Sequence, residues 1–350
     1  MKGVRDLRLV KEKMISPIGY VMAASATALA IAFAKMDANP SLFVTDYMAS
    51  ERRKMEHFDR KTMWITGASS GIGAQMAMQL SRYNVNLILS ARSEEKLNDV
   101  AQACREVSGN DNDISVLPLD MTCSEQELEF AVDKVMEIVG NGSLDFVVMN
   151  AGKGQLKLET QMTRRETEEM FQLNALAPIW LTQLLLRKEI LRADRGKNLM
   201  VTSSVGGKYG LPLSASYAAS KHALHGYFDS LKAECPWLRI DLVCPGPIDT
   251  AFHYSKEGQE SEKEAKSSIR EMKMPADRCA QLMVSSLLVK GGGEHYIAEQ
   301  PSLIGLYIKQ LFPGLFQVML GKVASLRIQA WKEGLNLYDP QTWKDMRKRK

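Results

Sequence analysis

Residues 66–73 read Thr66-Gly67-Ala68-Ser69-Ser70-Gly71-Ile72-Gly73. This glycine-rich stretch follows an apolar run at residues 62–65 and precedes a stretch rich in Ala, Met and Leu, which predicts a strand, a turn and a helix start. Glycines let the backbone approach a pyrophosphate, and a helix N-terminus offers free N–H groups and a positive dipole end. Because spaced glycines alone are often only turn chemistry, the interpretation depends on the residues that follow.

From about residue 60 to residue 300, short apolar or β-branched runs alternate with helical patterns. The predicted strands are residues 62–66, 85–90, 115–119, 146–150, 198–203, 239–243 and 295–298, with helical patterns including 93–107, 125–139 and 164–186. Near-continuous apolar strands are typical of parallel sheets buried on both faces. The alternation predicts an α/β fold, a doubly wound (Rossmann-type) parallel seven-stranded sheet with helices on both faces.

The sequence predicts three segments. Residues 60–300 form the predicted dinucleotide-binding catalytic domain, because no repeat or low-complexity linker interrupts them. Residues 1–59 form an N-terminal segment with an apolar helix, and residues 301–350 form a C-terminal helical extension.

The composition excludes several classes of protein. The 350 residues are 45% hydrophobic and 25% charged, which is typical of a globular chain. The net charge of +4 comes without a basic stripe interleaved with aromatics, so no nucleic-acid partner is predicted. The five cysteines are spread out and form no Cys-x-x-Cys pair, and the histidines lack ligand spacing. We therefore predict neither a disulfide framework nor a metal site.

Further motifs follow in a fixed order. They are Asn150-Ala151-Gly152 after the fourth strand, Asn174 in a helix, Ser204 after the fifth strand, Tyr217 with Lys221 four residues later, and Pro245-Gly246. Together with the glycine-rich stretch, this order and spacing resembles the short-chain dehydrogenase/reductase family over about residues 60–300. The resemblance implies a nicotinamide-dependent oxidoreductase with Asn174, Ser204, Tyr217 and Lys221 as its catalytic set.

The residue types suit hydride transfer between a nicotinamide and a carbonyl, which needs a proton donor for the developing alkoxide. Tyr217 can donate, but an unperturbed phenol has a pKa near 10. Lys221 lies one helical turn away, so we expect its charge to favour the phenolate. By resemblance, Lys221 also holds the nicotinamide ribose, Ser204 positions the substrate oxygen, and Asn174 anchors a water in a proton relay.

The same resemblance predicts the residues that bind the dinucleotide. They are Gly67, Ser69, Ser70, Gly71, Ile72, Gly73, Arg92, Ser93, Asp120, Met121, Asn150, Ala151, Gly152, Tyr217, Lys221, Pro245, Gly246, Ile248 and Thr250. NAD-preferring relatives place an acidic residue after the second strand, where this chain has Ala91 followed by Arg92. Because a guanidinium suits a phosphate, NADP(H) is the preferred cofactor and NAD(H) the alternative. Arg92 could instead pair with Glu95 or be merely exposed.

The N-terminal apolar run at residues 15–34 is just long enough to cross a bilayer as a helix. A membrane anchor is the leading interpretation, and a cleaved signal peptide, a transit segment or a plain helix are the alternatives. We expect attachment to a membrane, that of the endoplasmic reticulum; the basic C-terminal residues 347–350 could act as a retrieval signal if they face the cytosol.

The apolar stretch at residues 303–320 is interrupted by Lys309 and by Pro313-Gly314, so it is too broken to span a bilayer comfortably. Helices lying on a membrane surface, helices covering a substrate pocket, and helices packed on the core remain alternatives. The polar run at residues 250–274 is typical of a mobile lid in this family, and equally of a solvated helix.

The predicted function is reversible carbonyl/alcohol hydride transfer on small lipophilic substrates, namely retinoid, steroid, lipid or xenobiotic carbonyls, in the reductive direction. The substrate class rests on the family resemblance and on a few apolar residues. The alternative is a catalytically idle NADPH-binding scaffold or sensor. The sequence leaves open the physiological substrate, the membrane topology, whether residues 1–34 are cleaved, and whether the chain forms a homodimer.

Overall fold

A computed structural model of the chain describes residues 33–108, 113–140, 142–191, 197–250 and 272–348, together with Thr27 and Ile31. Its strands are β1 Thr62–Thr66, β2 Asn86–Ser90, β3 Ile114–Val116, β4 Leu144–Met149, β5 Asn198–Thr202, β6 Arg239–Pro245, β7 Ile248–Asp249, β8 Met274–Pro275 and β9 Gly293–Ile297. Seven of them form one parallel sheet in the order β3-β2-β1-β4-β5-β6-β9, and β7 pairs with β8. The predicted sheet is confirmed.

Helices cover both faces of this sheet. They are α1 Pro40–Met48, α2 Glu51–Phe58, α3 Gly71–Leu80, α4 Glu94–Val107, α5 Glu125–Val139, α6 Arg164–Phe171, α7 Ala177–Arg187, α8 Ala215–Glu234, α9 Ala276–Ser286, α10 Ser302–Leu311, α11 Pro313–Lys332 and α12 Pro340–Lys348. Successive residues of β1 point to opposite faces: Met63 and Ile65 join one buried cluster with α3, α4 and α9, and Trp64 joins another with α5, α7 and α8. Both faces of the sheet are therefore buried in the hydrophobic core, which explains why the strand sequences are apolar without interruption.

The topology places a crevice at the carboxyl edge of the sheet. The chain leaves β1 towards β2 and β3 on one side and returns to β4, β5 and β6 on the other. In such sheets, ligands bind where the strand order reverses, outside the carboxyl ends of the strands. The glycine-rich stretch, Asn150-Ala151-Gly152, Ser204 and Pro245-Gly246 lie at the carboxyl ends of β1, β4, β5 and β6, whereas Asn174, Tyr217 and Lys221 lie on helical segments.

Residues 37–58 pack against the sheet domain. Ala38 forms an antiparallel bridge with Ile297 of β9. The Asp46 carboxylate of α1 accepts hydrogen bonds from Arg278 Nη1 at 2.6 Å and Ser285 Oγ at 2.6 Å, both on α9. Its pKa is lowered although burial alone would raise it, because these partners stabilise the charged form. Asp37 also pairs with Arg278, at 2.7 Å.

Two predicted segments lie mostly outside the described residues: the apolar helix at residues 15–34 and the polar run at residues 250–274. Within the described part of the chain, no helix combines the length and the apolar character needed to cross a bilayer. The predicted C-terminal extension forms α10, α11 and α12. Leu213, Leu326, Leu337 and Met346 share a small buried cluster that joins this extension to the loop before α8.

Candidate active site

A cavity of about 890 Å³ lies at the carboxyl edge of the sheet. Of the residues predicted to act on substrate or cofactor, those in its wall are Gly67, Ser69, Ser70, Gly71, Ile72, Arg92, Ser93, Asp120, Met121, Asn150, Ala151, Gly152, Ser204, Tyr217, Lys221, Pro245, Gly246, Ile248 and Thr250. Gly73 and Asn174 do not line it. Tertiary structure thus brings residues almost two hundred positions apart to one concave surface.

The glycine-rich turn lies against the start of α3 and has no room for side chains. Gly67 has a φ of +67°, and a Cβ there would lie 2.8 Å from Ala151 Cα. A Cβ on Gly73 would lie 2.3 Å from the Gly67 carbonyl oxygen and 2.7 Å from Asn150 Nδ2. Gly73 therefore contributes by close packing beneath the turn rather than by lining the cavity. This bare backbone at a helix N-terminus is a surface that fits a pyrophosphate.

Asn150 connects the glycine-rich turn to the centre of the sheet. Its backbone N–H donates to Thr66 Oγ1 at 3.1 Å, and its Nδ2 donates to the Gly67 carbonyl at 3.3 Å. Its Oδ1 accepts from Thr202 Oγ1 on β5 at 3.3 Å. The Asn-Ala-Gly motif therefore holds the ends of β1, β4 and β5 in one arrangement beneath the cavity floor.

Ser204, Tyr217 and Lys221 occupy neighbouring positions in the wall. Ser204 follows β5, where its Oγ accepts from Gly206 N–H at 3.0 Å and donates to the Pro245 carbonyl at 3.3 Å. Tyr217 and Lys221 lie one turn apart on α8, and a hydrogen bond joins Ser204 to the Tyr217 side chain. Lys221 Nζ donates to the Thr202 carbonyl at 2.8 Å. The three predicted residues therefore line the same cavity, with Ser204 and Tyr217 in direct contact.

Burial dominates the pKa values of Tyr217 and Lys221. Burial raises the pKa of Tyr217 to about 12, although the hydrogen bond with Ser204 lowers it in part. Burial also lowers the pKa of Lys221 to about 8. Burial disfavours the charged form of each group, and the expectation that Lys221 favours the phenolate stays a prediction. Near neutral pH the Tyr217 phenol is therefore protonated and able to donate, and the lowered pKa of Lys221 brings its ammonium closer to proton exchange.

Asn174 lies behind the cavity wall, on a π-helical turn, Gln172–Leu176, between α6 and α7. Its side chain is 1% exposed. Asn174 Oδ1 accepts from Lys153 N–H at 2.9 Å, and Nδ2 donates to the Lys153 carbonyl at 2.8 Å and to Ser220 Oγ at 3.3 Å. Asn174 therefore joins the loop after β4 to the helix of Tyr217. Its relay role stays a prediction, and π-turns of this kind are frequent at functional sites.

Arg92 and Ser93 lie at the far end of the cavity, after β2, with Lys96 on the first turn of α4. Ser93 caps that helix, since its Oγ accepts from Lys96 N–H at 3.4 Å. Lys96 was not predicted from the sequence as a wall residue. Its position four residues after Arg92, at the start of a helix, could have indicated that both side chains face the same cavity. Asp120 is held in its own turn, where Oδ1 accepts from Thr122 N–H at 2.9 Å.

Gln155, Arg327 and Tyr338 are among the other wall residues that were not predicted. Gln155 Oε1 accepts from Tyr217 N–H at 2.9 Å, so Gln155 fixes the start of α8. Arg327 on α11 donates from Nε to the Pro212 carbonyl at 3.3 Å, and its Cζ lies 5.9 Å from the Tyr338 ring centre. Nothing in the local sequence signals that these C-terminal residues reach the cavity.

A buried polar network lies behind Ser203. His225 Nε2 is 2.9 Å from Ser203 Oγ and its Nδ1 is 3.1 Å from Glu294 Oε1. His225, Cys244 and Glu294 offer potential ligand atoms within 4.8 Å of one another. Lys208 Nζ already pairs with Glu294 at 2.9 Å, and burial raises the pKa of the Cys244 thiol. We interpret the cluster as an ion-pair network, because a cation and a protonated thiol disfavour a metal.

Comparisons with known proteins identify the family of the chain. The family model described as short chain dehydrogenase matches residues 61–261. The chain is 34% identical over 310 residues to dehydrogenase/reductase SDR family member 7 of Mus musculus, covering 87% of this chain and 89% of the mouse protein.

Two solved structures share the fold. One is an alcohol dehydrogenase from the archaeon Thermococcus sibiricus complexed with 5-hydroxy-NADP, with a TM-score of 0.58, 24% identity, and coverage of 69% of this chain and 97% of that one. The other is a short-chain dehydrogenase/reductase from Burkholderia phymatum in complex with NAD, with a TM-score of 0.60, 18% identity, and coverage of 81% and 98%. The family model over residues 61–261 and the mouse relative over 310 residues show that the chain belongs to the short-chain dehydrogenase/reductase family.

Proposed function

We propose that this protein is an NADP(H)-dependent oxidoreductase that reduces lipophilic ketones or aldehydes to alcohols. The observation that carries the proposal is the convergence of Ser204, Tyr217 and Lys221 on one wall of the cavity, with the glycine-rich turn on the same surface. A bound nicotinamide dinucleotide would supply the hydride. The backbone cradle at Gly67 and Gly73 fits such a group, because a Cβ at either position would collide with neighbouring backbone.

The roles of the chain's own residues follow from their positions. The Ser204 hydroxyl would donate a hydrogen bond to the carbonyl oxygen and hold it beside Tyr217. The Tyr217 phenol would then transfer its proton to that oxygen as negative charge develops. Lys221, with its pKa lowered to about 8 by burial, can exist in both protonation states near neutral pH and so can return a proton to the phenolate.

The substrate class is inferred from the cavity wall around this triad. Leu211, Val205 and Pro247 line it with Tyr338. Apolar walls with a few placed polar groups favour ligands that are largely hydrocarbon around one reactive oxygen. Retinoid, steroid, lipid and xenobiotic carbonyls fit this description. The reductive direction is proposed because NADPH-linked enzymes in cells usually run towards reduction.

Purified protein is expected to oxidise NADPH when given lipophilic carbonyls, monitored by the loss of absorbance of the reduced nicotinamide. A panel of retinal, a 3-ketosteroid, a long-chain aldehyde and an aromatic diketone covers the proposed classes. Each carbonyl is compared with its own alcohol as a matched control that should not consume NADPH. If NADPH binds but no carbonyl is turned over, the alternative of an idle NADPH-binding scaffold is favoured.

The preference for NADP(H) is proposed from Arg92, Ser93 and Lys96 at the far end of the cavity. Ala91, the first residue after β2, carries no charge. The neighbouring acids Glu94 and Glu95 are exposed on the first turn of α4. Two basic side chains would bind a 2′-phosphate, and a strand end without a carboxylate would not repel it.

Arg92→Ala is expected to lower kcat/KM for NADPH roughly tenfold or more while changing that for NADH about twofold at most, because charge-assisted hydrogen bonds contribute roughly 1.5–3 kcal/mol. Steady-state kinetics with both cofactors checks this. Arg105→Ala, which removes a guanidinium at the other end of α4, is the matched control. Equal losses with NADPH and NADH would refute the assignment.

Attachment to the membrane of the endoplasmic reticulum through residues 15–34 is also proposed. Its support is the length and the uncharged character of that run. Carbonate extraction of membranes would leave an anchored chain in the pellet and release a peripheral one.

A further inference from the structure

The helices α10 and α11 are joined by the single residue Phe312. We call residues 302–332 the C-terminal helix pair. Its inner side is buried: Leu303 and Leu306 of α10 are at most 1% exposed, and Phe316 of α11 packs 5.1 Å from the Tyr209 ring. Tyr209 follows the turn that begins after Ser204, so the helix pair is fixed beside the cavity.

The outer side of the helix pair is a run of exposed apolar side chains. They are Ile304 at 42%, Leu311 at 68%, Phe312 at 60%, Leu315 at 53%, Val318 at 60%, Met319 at 41% and Val323 at 38%. Leu315, Met319 and Val323 are spaced by four residues and therefore share one face of α11. Single exposed apolar residues are ordinary, but a contiguous patch marks a surface that contacts something.

The charges around this patch favour an anionic partner. The helix pair contains no Asp or Glu, whereas the whole chain has 45 basic and 41 acidic residues. Its Lys322 and Lys332 are exposed on α11, while Lys309 lies over the Phe316 ring and Arg327 lines the cavity. Lysine and arginine flanking an apolar helix face are typical of helices that lie in the interface of anionic membranes. A second copy of the chain would bring the same positive charges opposite one another in a two-fold contact, which disfavours self-association there.

We propose that the outer side of the C-terminal helix pair lies in the boundary between headgroups and acyl chains of an anionic lipid bilayer. The contact is parallel to the surface, since α11 is not apolar enough to span. It is separate from any anchoring by residues 15–34. Arg327 of α11 also lines the cavity, so the contact brings the cavity wall to the lipid surface. Delivery of lipophilic carbonyls from the bilayer rests on the proposed function. The lipid contact itself does not depend on that function.

A fluorophore sensitive to polarity, attached to full-length Leu315→Cys protein, tests the proposal. Cys123 and Cys235, which are half-buried, are replaced by serine so that the label stays at one position. Vesicles of equal parts phosphatidylcholine and phosphatidylserine are expected to shift the emission to the blue. Brominated lipid should then quench the label several-fold more strongly than it does in vesicles of phosphatidylcholine alone.

Val107→Cys is the matched control, because Val107 is an apolar residue of similar exposure at the end of α4. The helix α4 packs against β3, at the opposite edge of the sheet. The label at position 107 should stay in water, even if residues 15–34 hold the chain on the vesicle. Lys322→Glu in the Leu315→Cys protein is expected to lower insertion of the label roughly tenfold. The proposal is overturned if the labels at positions 315 and 107 respond alike. It is also overturned if the blue shift occurs without vesicles and grows with protein concentration, which would indicate contact with a second copy of the chain.

Discussion

Replacing Tyr217 by phenylalanine is expected to lower kcat by about 10²–10⁴-fold, the range that a positioned general acid contributes. The substitution keeps the ring that fills the wall and removes only the hydroxyl that hydrogen-bonds with Ser204. The Ser204 hydroxyl would remain beside the carbonyl oxygen, but an aliphatic alcohol is a much weaker acid than a phenol. The developing alkoxide would therefore have to take its proton from water. Affinity for NADPH, followed by quenching of tryptophan fluorescence, is expected to change little.

A matched control for this variant is Tyr83→Phe. Tyr83 is also buried, and its hydroxyl donates to Glu51 Oε2 at 2.9 Å, but it lies outside the cavity wall. Removing that hydroxyl should lower the midpoint of thermal unfolding slightly and leave kcat unchanged. If Tyr217→Phe retained more than roughly a tenth of the wild-type kcat, the assignment of Tyr217 as the proton donor would be wrong.

Gly73→Ala is expected to weaken NADPH binding by more than about tenfold, which corresponds to roughly 1.4 kcal/mol. The added Cβ would lie 2.3 Å from the Gly67 carbonyl oxygen and 2.7 Å from Asn150 Nδ2. The Gly67 oxygen belongs to the backbone and cannot rotate away, and the Asn150 amide is hydrogen-bonded to it, so the glycine-rich turn must move out of the position that accepts a pyrophosphate. Isothermal titration of NADPH into the purified variant measures the loss.

Gly226→Ala is the control for the effect of a methyl group on a helical glycine. A Cβ at Gly226 on α8 has no heavy atom within 4 Å. Because alanine is the better helix former by about 1 kcal/mol, this variant should be as stable as the wild type or slightly more so, with NADPH affinity preserved. Unchanged binding in Gly73→Ala would show that the turn tolerates displacement and is not a pyrophosphate cradle.

The sheet could be predicted because its strands are buried on both faces and are therefore apolar without interruption. The helix at residues 125–139 could be predicted to the residue, since Ser124 and Glu127 form a capping box at its start. The helix predicted at residues 164–186 is continuous in the structure, but a π-helical turn interrupts its α-helical geometry at Asn174. Local hydrophobic spacing carries no signal for such an inserted turn.

Local spacing was enough to predict that the glycine-rich turn, Asn150 and Ser204 lie close together, because motifs at the ends of parallel strands share one edge of the sheet. The glycine-rich turn and the pair Tyr217 and Lys221 depend only on neighbours within one turn of helix or strand. The pKa shifts of Tyr217 and Lys221 depend on the tertiary structure, because the two side chains are buried by segments that are distant in sequence. The entry of Arg327 and Tyr338 into the cavity wall, more than one hundred residues after Ser204, likewise depends on how the C-terminal helices pack, which no local pattern encodes.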